Sequence, residues 1–303
     1  MNCSKLIRYL LPIFLLGAII GNPVHAQQGT PVPAITYENV SYGDHPNQVI
    51  EFWKADTDGF APLVIFIHGG GFRGGSHEKV SGHKIQQYLD AGIHHASVEY
   101  RLAKHAPFPA AHEDAVRALQ FIRSKAEYWG IDKNRIAAYG GSAGAQLVAY
   151  LAWHDDFADP ESDDPIARES SRLKAVAPLT GQSTLDFGWW VENIPGYKPE
   201  YHDKRNRPDL SVIEQAALLN ELSIINHISP DDPPTFMSYR MNPDDDIPDD
   251  PKRARGWSIH HVNFGIAMED KLRQEGVEVF LKYPQADLPF ENEVEFLIHQ
   301  LEK

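Results

Sequence analysis

A single cysteine, Cys3, in 303 residues excludes an internal disulfide framework and any cysteine-based zinc or iron–sulfur site. Positive charge is also in short supply. The chain has 28 Lys and Arg against 42 Asp and Glu, a net charge of −14, so nucleic acids and anionic membrane surfaces are poor partners for it. Internal repeats and low-complexity tracts are absent, which argues against a solenoid or a linker-rich chain. Long apolar runs are missing but for one, Leu10 to Ile20, which is shorter than the ~20 residues a spanning helix needs. Lys5 and Arg8 precede it and Val24-His25-Ala26 follows, the layout of a secretory leader cleaved before Gln27. Cys3 would leave with residues 1–26. The expectation is a secreted or periplasmic protein, free of the membrane after cleavage, whose residues 27–303 suffice for one large domain with an insertion.

What is present points to alternating strands and helices. Residues 63–67 (LVIFI) form a continuous apolar run bounded by Pro62 and His68-Gly69, which reads as a strand buried on both faces. Similar short runs occupy 95–100, 135–139, 173–179, 235–239 and 277–283. Between them, 111–129 places Ala115, Ala118, Leu119 and Ile122 on one helical face, and 266–274 is a second such stretch. The pattern predicts an α/β fold with a mostly parallel sheet and flanking helices, with 35–53 adding an antiparallel edge. Two stretches interrupt the rhythm: an acidic loop at 155–172, and a segment at about 181–234 that carries Trp189, Trp190, Tyr197 and Tyr201. A connection that long is expected to be a cap-like insertion over a site.

Two glycine motifs carry chemistry. Gly140-Gly141-Ser142-Ala143-Gly144 follows a strand and precedes the helix-prone AQLVAYLAW, the context in which G-x-S-x-G exposes a nucleophilic serine on a sharp turn. His68-Gly69-Gly70-Gly71-Phe72 directly follows a buried strand and offers backbone N–H groups unobstructed by side chains, as an oxyanion requires. Gly69-x-Gly71-x-x-Gly74 formally matches a dinucleotide fingerprint, but no helix begins inside the run and the next acid, Glu99, comes too late.

On HGGGF (68–72), EYRLAKHAPFPAAHEDAVRAL (99–119) and GIDKNRIAAYGGSAGAQL (130–147), the sequence resembles the hormone-sensitive-lipase-like branch of the α/β-hydrolases, esterases and carbohydrate acetyl esterases among them. The resemblance is close over about 62–152 and weak beyond. It implies an α/β-hydrolase fold, Ser142 as nucleophile, and Gly70, Gly71 and Ala143 as oxyanion donors. It also implies a structural role for His68 in orienting the glycine loop, and a supporting one for Asp114.

The rest of a triad is harder to place. In this fold an acid follows a later strand and a histidine comes near the carboxyl end. After 235–239, counting back from Pro248 in the family's D-x-x-V-P-like frame gives Asp244, with Asp245 and Asp246 as alternatives. In the frame where the family keeps its histidine, this chain has Leu288, which cannot accept a proton. His299 lies further on, in the last helix. Three repairs remain open. His261 or its neighbour His260 could reach Ser142 from the loop leaving the acid strand, since a triad is defined by geometry rather than chain order. His77 or His83 could serve instead. Otherwise no base exists, and the chain is a degenerate hydrolase that binds without efficient turnover.

The expected reaction is hydrolysis of short-chain acyl or acetyl esters, possibly on carbohydrates, through an acyl-enzyme. Ser142, Asp244 and His261 (or His260) would carry it, with Gly70, Gly71 and Ala143 as the oxyanion hole. It needs no cofactor. The adjacent pairs His94-His95 and His260-His261 and the lack of H-E-x-x-H give no metal expectation either.

Overall fold

The computed structural model describes residues 32–201 and 210–303, so the leader expected over 1–26 lies outside the described residues. Eight strands form one sheet in the order β1-β2-β4-β3-β5-β6-β7-β8. They are β1 (Tyr37–Ser41), β2 (Val49–Trp53), β3 (Ala61–Ile67), β4 (His94–Val98), β5 (Ile131–Gly141), β6 (Ala175–Leu179), β7 (Thr235–Ser238) and β8 (Val279–Lys282). β1 and β2 pair antiparallel at one edge, β2 pairs antiparallel with β4, and every later pairing is parallel.

The run 63–67 shows why the sheet is covered on both sides. Leu63, Ile65 and Ile67 enter one apolar layer, whereas Val64 enters the other with Phe66 packed against it. Alternate residues of a strand face opposite ways, so an unbroken apolar run is stable only between two layers of helices. Fully burying each such side chain is worth about 1.5–3 kcal/mol. One layer holds α2 (Ala110–Ser124), α3 (Ala126–Trp129), α4 (Ala143–Trp153) and α8 (Val262–Gln274); the other holds α1 (Gly82–Asp90) and α9 (Glu293–Glu302). The helix expected over 111–129 is broken at Lys125, and α3 then ends on Gly130 in the left-handed region (φ 76°). Sequence periodicity could not register that break, because Ala126 and Trp129 continue the apolar face.

The segment 181–234 connects β6 to β7 and contains α5 (Phe187–Asn193) and α6 (Val212–Glu221). α6 begins with a capping box in which Ser211 and Glu214 satisfy each other's backbone N–H groups. The link from β7 to α8 carries α7 (Pro251–Ser258), started by the Asp250 side chain and Pro251. Among the described residues no helix is long and apolar enough to cross a membrane.

Candidate active site

Ser142 is the hinge between β5 and α4 and has φ 55° and ψ −116°, a region that costs a non-glycine residue about 1–3 kcal/mol. Its amide donates to the Leu179 carbonyl at 2.9 Å, which ties the turn to β6. The turn is so tight that a Cβ on Gly140 would meet the Ile67 and Gly144 carbonyl oxygens at 2.6 Å. One on Gly144 would stand 2.1 Å from the Ile67 oxygen. Glycine is therefore obligatory at both positions, and the serine hydroxyl is held at the carboxyl end of the sheet.

The imidazole that meets it is His260. Its Nε2 lies 2.9 Å from Ser142 Oγ, and its Nδ1 lies 2.9 Å from the Gly256 carbonyl oxygen. That carbonyl can only accept, so the proton sits on Nδ1 and Nε2 is left free to receive the serine proton. Burial lowers the His260 pKa from its ordinary value; the Gly256 bond opposes that shift and the Arg240 charge adds to it. The ring is neutral, the form a base needs.

His261, the base expected from the sequence together with His260, has a different place. It is fully buried as the cap of α8, with Nδ1 accepting from the Asn263 N–H at 3.2 Å, and its ring meets Trp257 edge-on at 4.4 Å. Burial pulls its pKa down to about 4, against a small opposing pull from Asp245. Two adjacent histidines at a helix start diverge: one meets Ser142 and the other closes the helix. Asp244 is not brought to the base either. It is exposed, as are Asp245 and Asp246, and Asp245 instead accepts from the Asn242 backbone at 2.8 Å. The acceptor behind His260 is the main-chain carbonyl of Gly256, donated by α7, a helix the triad frame does not include.

The other positions weighed for the base lie away from Ser142. Leu288 packs with the apolar layer that holds Phe236 and Phe296, the face of the sheet that α1 and α9 cover. His77 is buried against Glu99 and Glu51, His83 is exposed, and His299 is exposed on α9 beside Phe290.

The glycine loop brings its members to the same place. Gly70 and Gly71 have φ 127° and 62°, and Arg73 and Gly74 both return backbone hydrogen bonds to the Gly70 carbonyl. Nothing lies within 4 Å of a Cβ built on Gly71, which faces open space. Gly70, Gly71, Ser142 and Ala143 line one cavity of about 140 Å³.

His68 supports this loop. Its Nε2 is 3.0 Å from Glu99 Oε1, its ring stacks on Tyr100 at 4.3 Å, and its carbonyl accepts from the Tyr100 hydroxyl. Glu99 also takes His77 Nδ1 at 2.9 Å. Burial would raise the Glu99 pKa, but hydrogen bonds from His68 and His77 outweigh it and hold the carboxyl at about 2. Asp114 is fully buried and gripped by Arg101 through Nε at 3.0 Å and a terminal nitrogen at 2.7 Å, fixing the chain just after β4.

Phe72, Arg73, Gln182, Trp190, Tyr201, Arg255 and Ile259 complete the cavity, and of these the sequence motifs and aromatic run mark Phe72, Trp190 and Tyr201. Gln182 donates to the Ile259 carbonyl at 2.6 Å and so braces the residue before His260. An Arg255 terminal nitrogen donates to the Tyr201 carbonyl at 3.0 Å, bridging α7 to the 181–234 segment. No local motif announces such residues, since their role comes from where α7 and the insertion meet. Trp189, the neighbour of Trp190 in the 181–234 segment, points elsewhere. It lines a larger cavity of about 920 Å³ with Phe187, Leu219, Asn220 and Lys271. That larger cavity contains none of the groups with acyl-transfer geometry, so size does not locate the chemistry here.

The mostly parallel eight-stranded sheet, the strained serine elbow and the glycine loop define the α/β-hydrolase fold. Solved structures share it. A carbohydrate esterase from gut microbiota superposes with a TM-score of 0.65 at 16% identity, covering 88% of this chain and 96% of its own. An acetyl ester-xyloside bifunctional hydrolase from Caldicellulosiruptor lactoaceticus gives 0.63 at 22% identity, covering 90% and 96%. Within that class, the chain belongs to the BD-FAE family, whose model matches residues 52–250. Among curated relatives, the probable carboxylic ester hydrolase LipM of Mycobacterium tuberculosis is 26% identical over 83% of this chain and 54% of its own length. Esterase LipC of the same organism is 34% identical over 52% and 38%. The chain thus spans well under two thirds of the length of these relatives.

Proposed function

We propose that this protein hydrolyses carboxylic esters by a Ser142–His260 dyad through an acyl-enzyme. The observation that carries the reading is the 2.9 Å contact between Ser142 Oγ and Nε2 of a half-buried His260 whose Nδ1 faces the Gly256 carbonyl. In acylation, the serine proton passes to Nε2 as Oγ bonds to the acyl carbon, and the carbonyl electron pair moves onto oxygen. The N–H groups of Gly70, Gly71 and Ala143 are the candidate donors to that oxyanion. Collapse expels the alcohol, which takes the proton from Nε2. Water then repeats the sequence, giving up its proton to Nε2 as it attacks, and Ser142 is released with the acid. The Gly256 carbonyl keeps His260 in the correct tautomer throughout, the orienting task a carboxylate performs in other triads. A neutral carbonyl stabilises the transient imidazolium less than a carboxylate would, so turnover is expected to be modest.

The cavity over Ser142 is small, about 140 Å³, against ~300–1,000 Å³ for typical drug-sized sites. This supports an acetyl or other short acyl group, and the carbohydrate esterase and acetyl ester hydrolase among the structural neighbours support a sugar as the alcohol side. The 181–234 segment, which contributes Gln182, Trp190 and Tyr201, acts in this reading as the cap, and residues 1–26 as the leader of an exported protein. Binding without turnover finds no support in a serine already hydrogen-bonded to a neutral imidazole.

The test is hydrolysis of a chromogenic short-chain acetate together with labelling by a fluorophosphonate. The chain should turn over the acetate and take up one label, and Ser142→Ala should do neither. Equal rates from the two proteins would end the proposal.

A further inference from the structure

Among the described residues, a second cluster of side chains, away from the active site, has the chemistry of a site. His154 caps the carboxyl end of α4, Glu221 is the last residue of α6, and His227 sits on the short turn that follows, Ile224–His227. One atom from each, an imidazole nitrogen or a carboxylate oxygen, lies within 4.8 Å of the other two. His154 Nε2 is 2.8 Å from Glu221 Oε1, and His227 Nε2 is 4.0 Å from Glu221 Oε2. The two imidazoles overlap with centroids 4.3 Å apart, and Phe157 stacks on His154 at 4.4 Å, holding that ring in place. No motif announces the group, because 67 positions separate His154 from Glu221 and the three residues come from separate elements.

We propose that His154, Glu221 and His227 bind one divalent transition-metal ion of the zinc type, which fastens the 181–234 segment to α4. Two nitrogens and one carboxylate oxygen form a donor set that zinc accepts, with water as fourth ligand. Ligand bonds of ~2.0–2.2 Å place tetrahedral donors about 3.3 Å apart, so rotamer adjustments of up to about 1.5 Å complete the site. The electrostatics favour a cation. The carboxyl ends of α4 and α6 converge here, each with its partial negative charge, and Glu221 adds a full one. His227 Nε2 also meets the Glu221 main-chain carbonyl at 2.6 Å, which keeps that ring beside the carboxylate. A metal ion engages all three groups at once. It lies about 18 Å along α4 from Ser142, so its role is to hold the insertion and not to take part in acyl transfer.

The experiment uses the full chain after chelator treatment, titrated with Zn²⁺ by calorimetry and with Co²⁺ by visible absorption. We expect one ion per chain, a cobalt spectrum of nitrogen–oxygen coordination, and a melting temperature raised by roughly 5 °C at about hundredfold excess over Kd. His227→Gln and Glu221→Gln should each weaken binding at least about tenfold while the metal-free proteins melt as the unsubstituted one does. Absence of binding by the unsubstituted chain overturns the proposal, as does equal binding by both variants. Because no readout is esterase activity, the result stands apart from the fate of the dyad.

Discussion

His260 and His261 show how little chain separation says about role. They are neighbours, yet one meets Ser142 Oγ at 2.9 Å and the other caps α8 from a fully buried position. His260→Ala removes the imidazole nitrogen that meets Ser142 Oγ and is expected to lower kcat by about 10²–10⁴-fold with fluorophosphonate labelling slowed in parallel. His261→Ala should act on stability instead, lowering the melting temperature with kcat per folded molecule little changed. Asp244→Ala, at an exposed position, should leave both as they are. Loss of turnover in the Asp244 variant would show that the carboxylate reaches His260 during the reaction.

The pH profile follows from the same ring. A base must be unprotonated, and burial depresses the His260 pKa, so kcat/KM should stay high as pH falls below the usual histidine range. The acid limb of log kcat/KM against pH should therefore lie below 6.5. An inflection at or above that value would mean that His260 is not the titrating base.

At the level of elements, the site is the meeting of a strand–helix elbow with a helix the triad frame omits. α7 supplies the Gly256 carbonyl and, past its end, His260 itself. A Cβ on Gly256 would touch nothing within 4 Å, and the residue lies inside a helix. Gly256→Ala should thus raise stability by roughly 0.5–1 kcal/mol with activity kept, because the catalytic contribution is the main-chain oxygen and not the missing side chain. Gly144→Ala is the opposite case. Its Cβ would stand 2.1 Å from the Ile67 oxygen, both atoms fixed in backbone, so the elbow must shift. Urea unfolding should show a loss of several kcal/mol, in the range of overpacked cores, and the variant should lose labelling. A Gly144→Ala protein with full labelling would mean that the turn tolerates a wider geometry.

For the whole molecule, acid is the condition to which stability is most exposed. His261 has a folded pKa of about 4 against an ordinary 6.5, so the unfolded chain binds the proton first as pH falls. Its contribution is complete above 6.5 and is lost as pH drops toward 4. Glu99, at about 2 against an ordinary 4.5, adds a second loss in the lower window, between 4.5 and 2. His95, fully buried and held at about 3, loses its contribution across both windows. Melting temperatures should therefore fall steadily from pH 6.5 down, and His261→Gln should lessen the loss between 6.5 and 4. A curve unchanged by that substitution would remove His261 as the cause.

Helices α1, α5, α6 and α7 are not marked in the sequence, whereas the succession of central strands, the two-faced burial of β3 and the position of the elbow are legible there. Each rests on local periodicity or on a backbone angle that only certain residues permit. Ser142 between Gly140 and Gly144 is of that kind, and so is the run Gly69-Gly70-Gly71 after a buried strand. Leu288 told from sequence alone that the usual histidine frame was vacant. Which imidazole serves Ser142, the carbonyl that orients it, the separation of Trp189 from Trp190 and the grouping of His154, Glu221 and His227 were decided only in three dimensions. Each depends on how α7, α6 and the 181–234 segment settle against the end of the sheet. A proton acceptor or metal ligand is defined by distance and direction to atoms far away in the chain, and no local pattern of residues encodes those.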